Sequence, residues 1–556
     1  MTHNPFTSVW RVFSVKERII FTGAIALLVI SGFLAFFYTL SQGTLVVPRQ
    51  GGDYTEGIVG QPAFVNPILA HDGTPDKDLV KLIFANAYDI AESVKHSDDF
   101  RVWTLRIKEG ALWHDGTPIT SDDIIFTVRQ IKSLETSSPI AADWQNIEPQ
   151  RVSEREVRFE ALNTYTLFEN VLKELYPVPK KLFVNLSGQT MRLSSYNLEP
   201  VGSGPFAFKS LERRKDGFIS SYVLTAAPTY ATIGNEPLIQ TFNVLFFENE
   251  DKLLASYNVG TIDGFGTYSA DSIAQLKIPS TIRRIPSTKY YVAFFNQSAN
   301  EALKSLAVRE ALSYATDKNA ILANALGGEG IIGNGPLPKT FPFYNKNIDS
   351  LYSFNPTKAK DLLISDEWTL LEDSLWHKTI LGQDTILSFI IKTPDIDPLK
   401  DVATQLQSQW EAVGVRVDVS SVDPTIISNE TIRTRNYEIL LFGNIWSATP
   451  DPYSFWHSSE RFYPGLNLAL YQNDSADRLI NSLRQTDPAG NAYVDTIKEL
   501  QLTIAQDYPA LFLGSPYYLY IMKSTIPGIS VDFITLPHHR FDTVSDWYVR
   551  TKRIFE

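Results

Sequence analysis

Residues 442–457, FGNIWSATPDPYSFWH, hold the side chains best suited to chemistry, and the chemistry they suit is non-covalent. A strand ending near Phe442 empties into a loop that carries Trp446, Tyr453, Phe455 and Trp456 with one acid, Asp451. Rings give apolar walls and a carboxylate gives an orienting charge, the mixture found in pockets for organic ligands. Trp446 is expected to line such a cleft. Asp451 precedes Pro452 and serves equally well as a turn residue or as partner to a cationic ligand group. Tyr453 is a further candidate contact.

Covalent chemistry finds little support. The eight histidines are scattered, with no HExxH, no G-x-S-x-G elbow and no P-loop. His538-His539 would point apart if they lay on a strand. The absence of cysteine removes thiolate metal sites, cysteine nucleophiles and attachment of lipid through an N-terminal cysteine. Sixty-two acids offer carboxylate pairs anywhere, so a pair alone carries no weight. The chain is expected to bind and not to catalyse, with no cofactor and no metal. His457 is the only histidine in the 442–457 loop, which makes nickel a weaker ligand expectation than an organic solute.

A formal charge of −12 argues against a nucleic-acid partner, since phosphate binding needs a basic surface. Aromatics are abundant, at 33 Phe, 25 Tyr and 10 Trp, which suits a ring-lined cleft as well as core packing. At 556 residues the chain exceeds a single core, so two or three lobes are expected.

Several elements can be read directly. Trp103, Leu105 and Ile107 alternate with polar residues as on a half-buried strand. Asp115-Gly116 marks a turn. Thr120 with Asp123 forms a capping pair ahead of Ile124, Ile125, Val128 and Ile131, which recur at helical spacing. Residues 290–297 (YYVAFFNQ) read as an apolar strand, and Asn355-Pro356 as a helix start. Residues 509–522 are rich in β-formers and fit a return strand into the first lobe.

Four segments are also, in order, similar to landmarks of one family. These are LRIKEGALWHDGTPITSDDIIFTV (105–128), VGSGPF (201–206), AVREALSYATDK (307–318), and Asn355-Pro356 followed by Ala359, Leu362 and Leu363. They closely resemble family 5 extracellular solute-binding proteins, the oligopeptide, dipeptide and nickel receptors of ABC importers. The resemblance runs from about residue 51 onward. It implies an α/β, two-lobed periplasmic-binding-protein-like fold (type II, the large three-domain variety) with an inserted α+β domain. The implied division is 51–75, 196–288 and 507–556 for lobe I, 76–195 for the inserted domain II, and 289–506 for lobe III. It also implies that Ser203 borders the cleft, and Phe64, just ahead of Asn66-Pro67, joins the candidate contacts. In peptide-binding relatives an Asp before a D/E-P pair meets the ligand amine. Here Asp451-Pro452 resembles the pair itself, and Ala448-Thr449 stand where that acid would be.

The implied function is capture of peptides, or similar organic solutes, by a monomeric receptor that hands them to an ABC permease with its ATPase subunits. The alternatives are a surface ligand-binding or sensing protein acting without a permease, or a nickel- or oligosaccharide-binding variant.

Residues 19–40, IIFTGAIALLVISGFLAFFYTL, carry no charge and are long enough to cross a bilayer. Arg11, Lys16 and Arg18 precede them and no basic residue follows until Arg49, so residues 1–18 are expected in the cytoplasm and the remainder outside. A cleaved signal peptide would carry a small-x-small exit, whereas Phe36, Phe37 and Tyr38 crowd this one, so an uncleaved anchor is expected. Residues 41–50 are then a short linker.

Overall fold

Lys289–Phe295 (KYYVAFF) is apolar nearly throughout because both its faces are covered: Tyr290 through Phe295 are all buried. In this computed structural model, which describes residues 13–42 and 44–555, the strand lies inside a six-stranded sheet. The order is Gly330–Ile332, Ala510–Pro516, Lys289–Phe295, Ile439–Ile445, Ser388–Pro394, Arg416–Val422. The last two strands are parallel, and helix Leu399–Glu411 joins them, burying Val402, Leu406 and Trp410 on the sheet.

The second large sheet has seven strands, in the order Thr281–Ile285, Tyr518–Met522, Gly264–Thr267, Asp53–Val59, Thr241–Phe247, Ile219–Ala226, Phe206–Arg213. Helix Glu250–Asn258 supplies the crossover between Thr241–Phe247 and Gly264–Thr267, both parallel to Asp53–Val59. These two sheets are the frames of two α/β lobes.

A four-stranded antiparallel sheet, Ala91–His96, Val102–Ile107, Glu156–Ala161 and Ile147–Ser153, stands apart with helix Ser121–Lys132 against it. Here Trp103, Leu105 and Ile107 face inward and Arg106 faces out. Thr120 donates its backbone N–H and its hydroxyl to Asp123 Oδ2, both at 2.9 Å, so the aspartate side of the expected capping pair fixes the helix start.

The chain passes between the two large sheets twice, at Pro286–Thr288 and at Tyr517. The second passage lies later than the expected boundary at 507. Ala510–Pro516 pairs inside the six-stranded sheet before Tyr518–Met522 joins the seven-stranded one. One β-rich run serves both sheets, and Gly514-Ser515-Pro516, directly ahead of Tyr517, is the signal within it at which the change could be read.

The apolar helix spans Val15–Gln42, and Val15–Tyr38 has a mean hydropathy of 2.5 with none of it buried against the rest of the protein. The segment expected as a plain linker contains a strand, Thr44–Pro48, paired antiparallel with Thr551–Phe555. Arg11 and Gly43, which figure in the anchor and linker readings, lie outside the described residues.

Candidate binding cleft

A cavity of about 750 Å³ opens where three parts of the chain meet, and its size falls within the range of small-ligand pockets. One wall is Ile445–Ala448, at the end of a central strand of the six-stranded sheet. A second is the stretch Ser530–Leu536 with His539 and Asp542, which follows the seven-stranded sheet. The third comes from around helices Pro75–Ile83 and Phe168–Lys173.

Two of these walls are hydrogen-bonded to the same crossing segment. Ile534 N–H donates to Pro286 C=O at 2.9 Å, and Thr288 N–H donates back to Ile534 C=O at 3.0 Å. On the other side, the Thr288 hydroxyl donates to Trp446 C=O at 2.6 Å. Both walls are thus tied to the same crossing segment.

Trp446 is the expected candidate that lines this cavity. It is 1% exposed, and its ring sits 4.7 Å from that of Phe455. Its indole N–H has no acceptor among the described residues. A buried donor without a partner costs about 1–3 kcal/mol.

The other expected contacts lie outside the cavity lining, each for a local reason. Asp451 accepts the Tyr453 N–H at 3.1 Å and pairs with Arg484, whose Nη2 is 2.6 Å from Oδ2. The turn through Pro450 and Pro452 aims the carboxylate at that arginine. Tyr453 opens the short helix Tyr453–Trp456, with the Arg484 guanidinium 3.9 Å over its ring and His457 stacked at 4.4 Å. Ser203 is fully buried, its Oγ accepting the Ala85 N–H at 3.2 Å. The glycines beside it are needed for close approach: a Cβ on Gly202 would stand 2.0 Å from the Ile83 carbonyl oxygen. Phe64 is half-buried, packed on the core under the Arg192 guanidinium at 5.6 Å.

Charge is the part of the site that sequence reasoning missed. Asp72, Asp89, Asp143, Glu174 and Asp542 line the cavity along with Lys77, Lys81 and Lys173. Lys81 Nζ pairs with Asp542 at 2.8 Å, and Lys77 Nζ lies 3.4 Å from Asp72. Asp143 opens on the cavity, yet desolvation by the surrounding protein, and after it the charges of Asp72 and Glu174, raise its carboxyl above the usual range. The wall therefore favours a positive group.

His539 completes this side, its Nε2 2.9 Å from Glu174 Oε1. His538-His539 do not lie on a strand, where they would point apart. Pro537 starts a 3₁₀ turn, Pro537–Phe541, and the two rings lie side by side with centroids 4.3 Å apart. That proline was the available signal.

Two α/β lobes joined by two crossings, with a charged and aromatic cavity between them, define a solute-binding protein of the periplasmic-binding-protein type. The model for "bacterial extracellular solute-binding proteins, family 5" matches residues 87–462, and the chain belongs to that family. It is 25% identical over 501 residues to the oligopeptide-binding protein AppA of Bacillus subtilis, covering 86% of this chain and 89% of AppA. The structure of that AppA in complex with a nonapeptide superposes with a TM-score of 0.69 at 24% identity, covering 91% of this chain and 100% of AppA. The substrate-binding protein CtaP of Listeria monocytogenes superposes at 0.74 with 23% identity, covering 90% of this chain and 100% of CtaP. These two superpositions speak to fold.

Proposed function

We propose that this chain is a membrane-anchored receptor that captures peptides, or similar organic solutes, in the cavity between its lobes and delivers them to an ABC permease. The observation that carries this reading is the cavity itself, bounded by two walls bonded to one crossing segment and lined by Trp446 and a set of carboxylates. Peptides carry an ammonium group, which complements the carboxylates around Asp143, and side chains that can pack on the aromatic wall. Family membership and the likeness to an oligopeptide-binding relative support the same ligand class.

Binding alone suffices for this role. Ligand is held between lobes, and closure is driven by its higher affinity for the closed state. Helix Val15–Gln42 keeps the receptor at the membrane with residues 1–18 inside the cell, and the strand pair Thr44–Pro48 with Thr551–Phe555 brackets the start of the external portion. The receptor acts as a monomer in this reading.

Uptake tests it. Deleting the gene should abolish import of a subset of a labelled short-peptide pool, and the full chain should restore it while Trp446→Ala should not. Unchanged import after deletion would sink the proposal.

A further inference from the structure

We propose that Glu174, His538 and His539 form a site for a borderline divalent metal ion (zinc, nickel or copper) in the cleft wall, open toward the cavity. The three side chains come from two parts of the chain, and their candidate ligand atoms all lie within 4.8 Å of one another. Two donors held about 2.05 Å from a tetrahedral ion stand roughly 3.3 Å apart. The observed separations straddle that value: Glu174 Oε1 to His539 Nε2 is 2.9 Å, and Glu174 Oε2 to His538 Nε2 is 3.7 Å. Each histidine meets a different oxygen of the one carboxylate.

His538 provides an independent reason. It is 1% exposed, and neither ring nitrogen has a hydrogen-bond partner among the described residues. A buried imidazole with two unused nitrogens calls for an explanation, and an ion on Nε2 gives one. Two imidazoles and a carboxylate match the preferences of zinc, nickel and copper and not those of magnesium or calcium.

The surroundings permit occupancy. Lys77 Nζ lies 3.6 Å from Glu174 Oε2 but keeps Asp72 at 3.4 Å, so the ion does not strand the ammonium group. The Thr535 hydroxyl, 2.6 Å from His539 Nδ1, accepts the Nδ1 proton when Nε2 carries metal. The Leu536 N–H, 3.2 Å from the same nitrogen, favours the opposite tautomer and so moderates affinity. Glu174 and His539 both line the cavity, which leaves the remaining coordination positions facing the place where solute would sit. The ion would thus present vacant positions to amine or carboxylate groups of a bound solute.

The test uses the full-length protein in detergent, without peptide, so it stands apart from the peptide-binding reading. Zinc and nickel are titrated separately in competition with a chromophoric chelator. One equivalent should bind, and anomalous scattering at the metal edge should place the ion between Glu174 and the two histidines. Glu174→Gln and His539→Gln should each weaken binding at least tenfold, and the pair His538→Ala with His539→Ala should abolish it while melting behaviour stays cooperative. His377→Ala, at a separate half-buried histidine, should change nothing. Absence of stoichiometric binding, binding indifferent to Glu174→Gln and His539→Gln, or loss of binding in His377→Ala would each overturn the site.

Discussion

The Thr288 hydroxyl donates a 2.6 Å hydrogen bond to the carbonyl of Trp446, tying a crossing between the lobes to the cavity wall. Both groups are buried, so the bond is not replaceable by water. Thr288→Val should cost about 1–3 kcal/mol of unfolding free energy, because it leaves the Trp446 carbonyl short of a donor. It should also weaken ligand binding, since the wall loses its tether, whereas Thr288→Ser should keep both properties near wild type. Chemical denaturation with parallel calorimetry measures the two effects. A valine variant equal to wild type in both would show that the tether is not needed.

Asp451 and Arg484 give a contrasting prediction. Their ion pair is partly exposed, at 20% and 34% for the two side chains, so its worth lies between that of a surface pair and a buried one. Asp451→Asn should cost about 1–2 kcal/mol of stability and leave ligand affinity within about threefold. A loss of affinity beyond tenfold with unchanged stability would return Asp451 to the role of ligand contact.

The fold was legible because its signals are local. Alternation at Trp103, Leu105 and Ile107, the Asn355-Pro356 cap and the apolar run at 290–295 each name an element without reference to distant residues. Trp446 was reachable for the same reason, as the first ring beyond a strand end. Glu174, His539 and Asp143 were not, because their roles arise only when the 72–176 and 530–542 stretches are brought together. The pairing of Asp451 was not legible either, because its partner, Arg484, lies thirty-three residues away at the end of another helix.

His114 predicts an acid dependence. Its Nε2 lies 2.9 Å from the Gly204 carbonyl, to which the neutral ring donates, and burial pushes its pKa down to about 4. The unfolded chain takes up this proton near pH 6.5 and the folded chain near 4, so the unfolded state binds more protons between them. Stability from this group is full above about pH 6.5 and falls as the pH drops toward 4, by up to about 3 kcal/mol. His114→Gln keeps a donor for Gly204 and should flatten that part of the stability profile in denaturant titrations between pH 7 and 4.5. A profile as steep as wild type would remove His114 as the source.

The anchor makes a simple prediction for the mature chain. Phe36, Phe37 and Tyr38 crowd the exit of helix Val15–Gln42 and Leu40-Ser41-Gln42-Gly43 is a poor cleavage site, so if the helix is an uncleaved anchor, mass spectrometry of protein purified from membranes should find peptides from residues 1–18. A mature start near Gln42 would replace the anchor with a cleaved signal.

The most direct measurement is mass spectrometry of what the receptor holds. Full-length protein purified from its native membranes and then denatured should release peptides in near-stoichiometric amount, and Trp446→Ala prepared in parallel should release at least tenfold less. Release of no organic solute, or equal release from the folded variant, would contradict the account of a ligand held in the cavity beside Trp446.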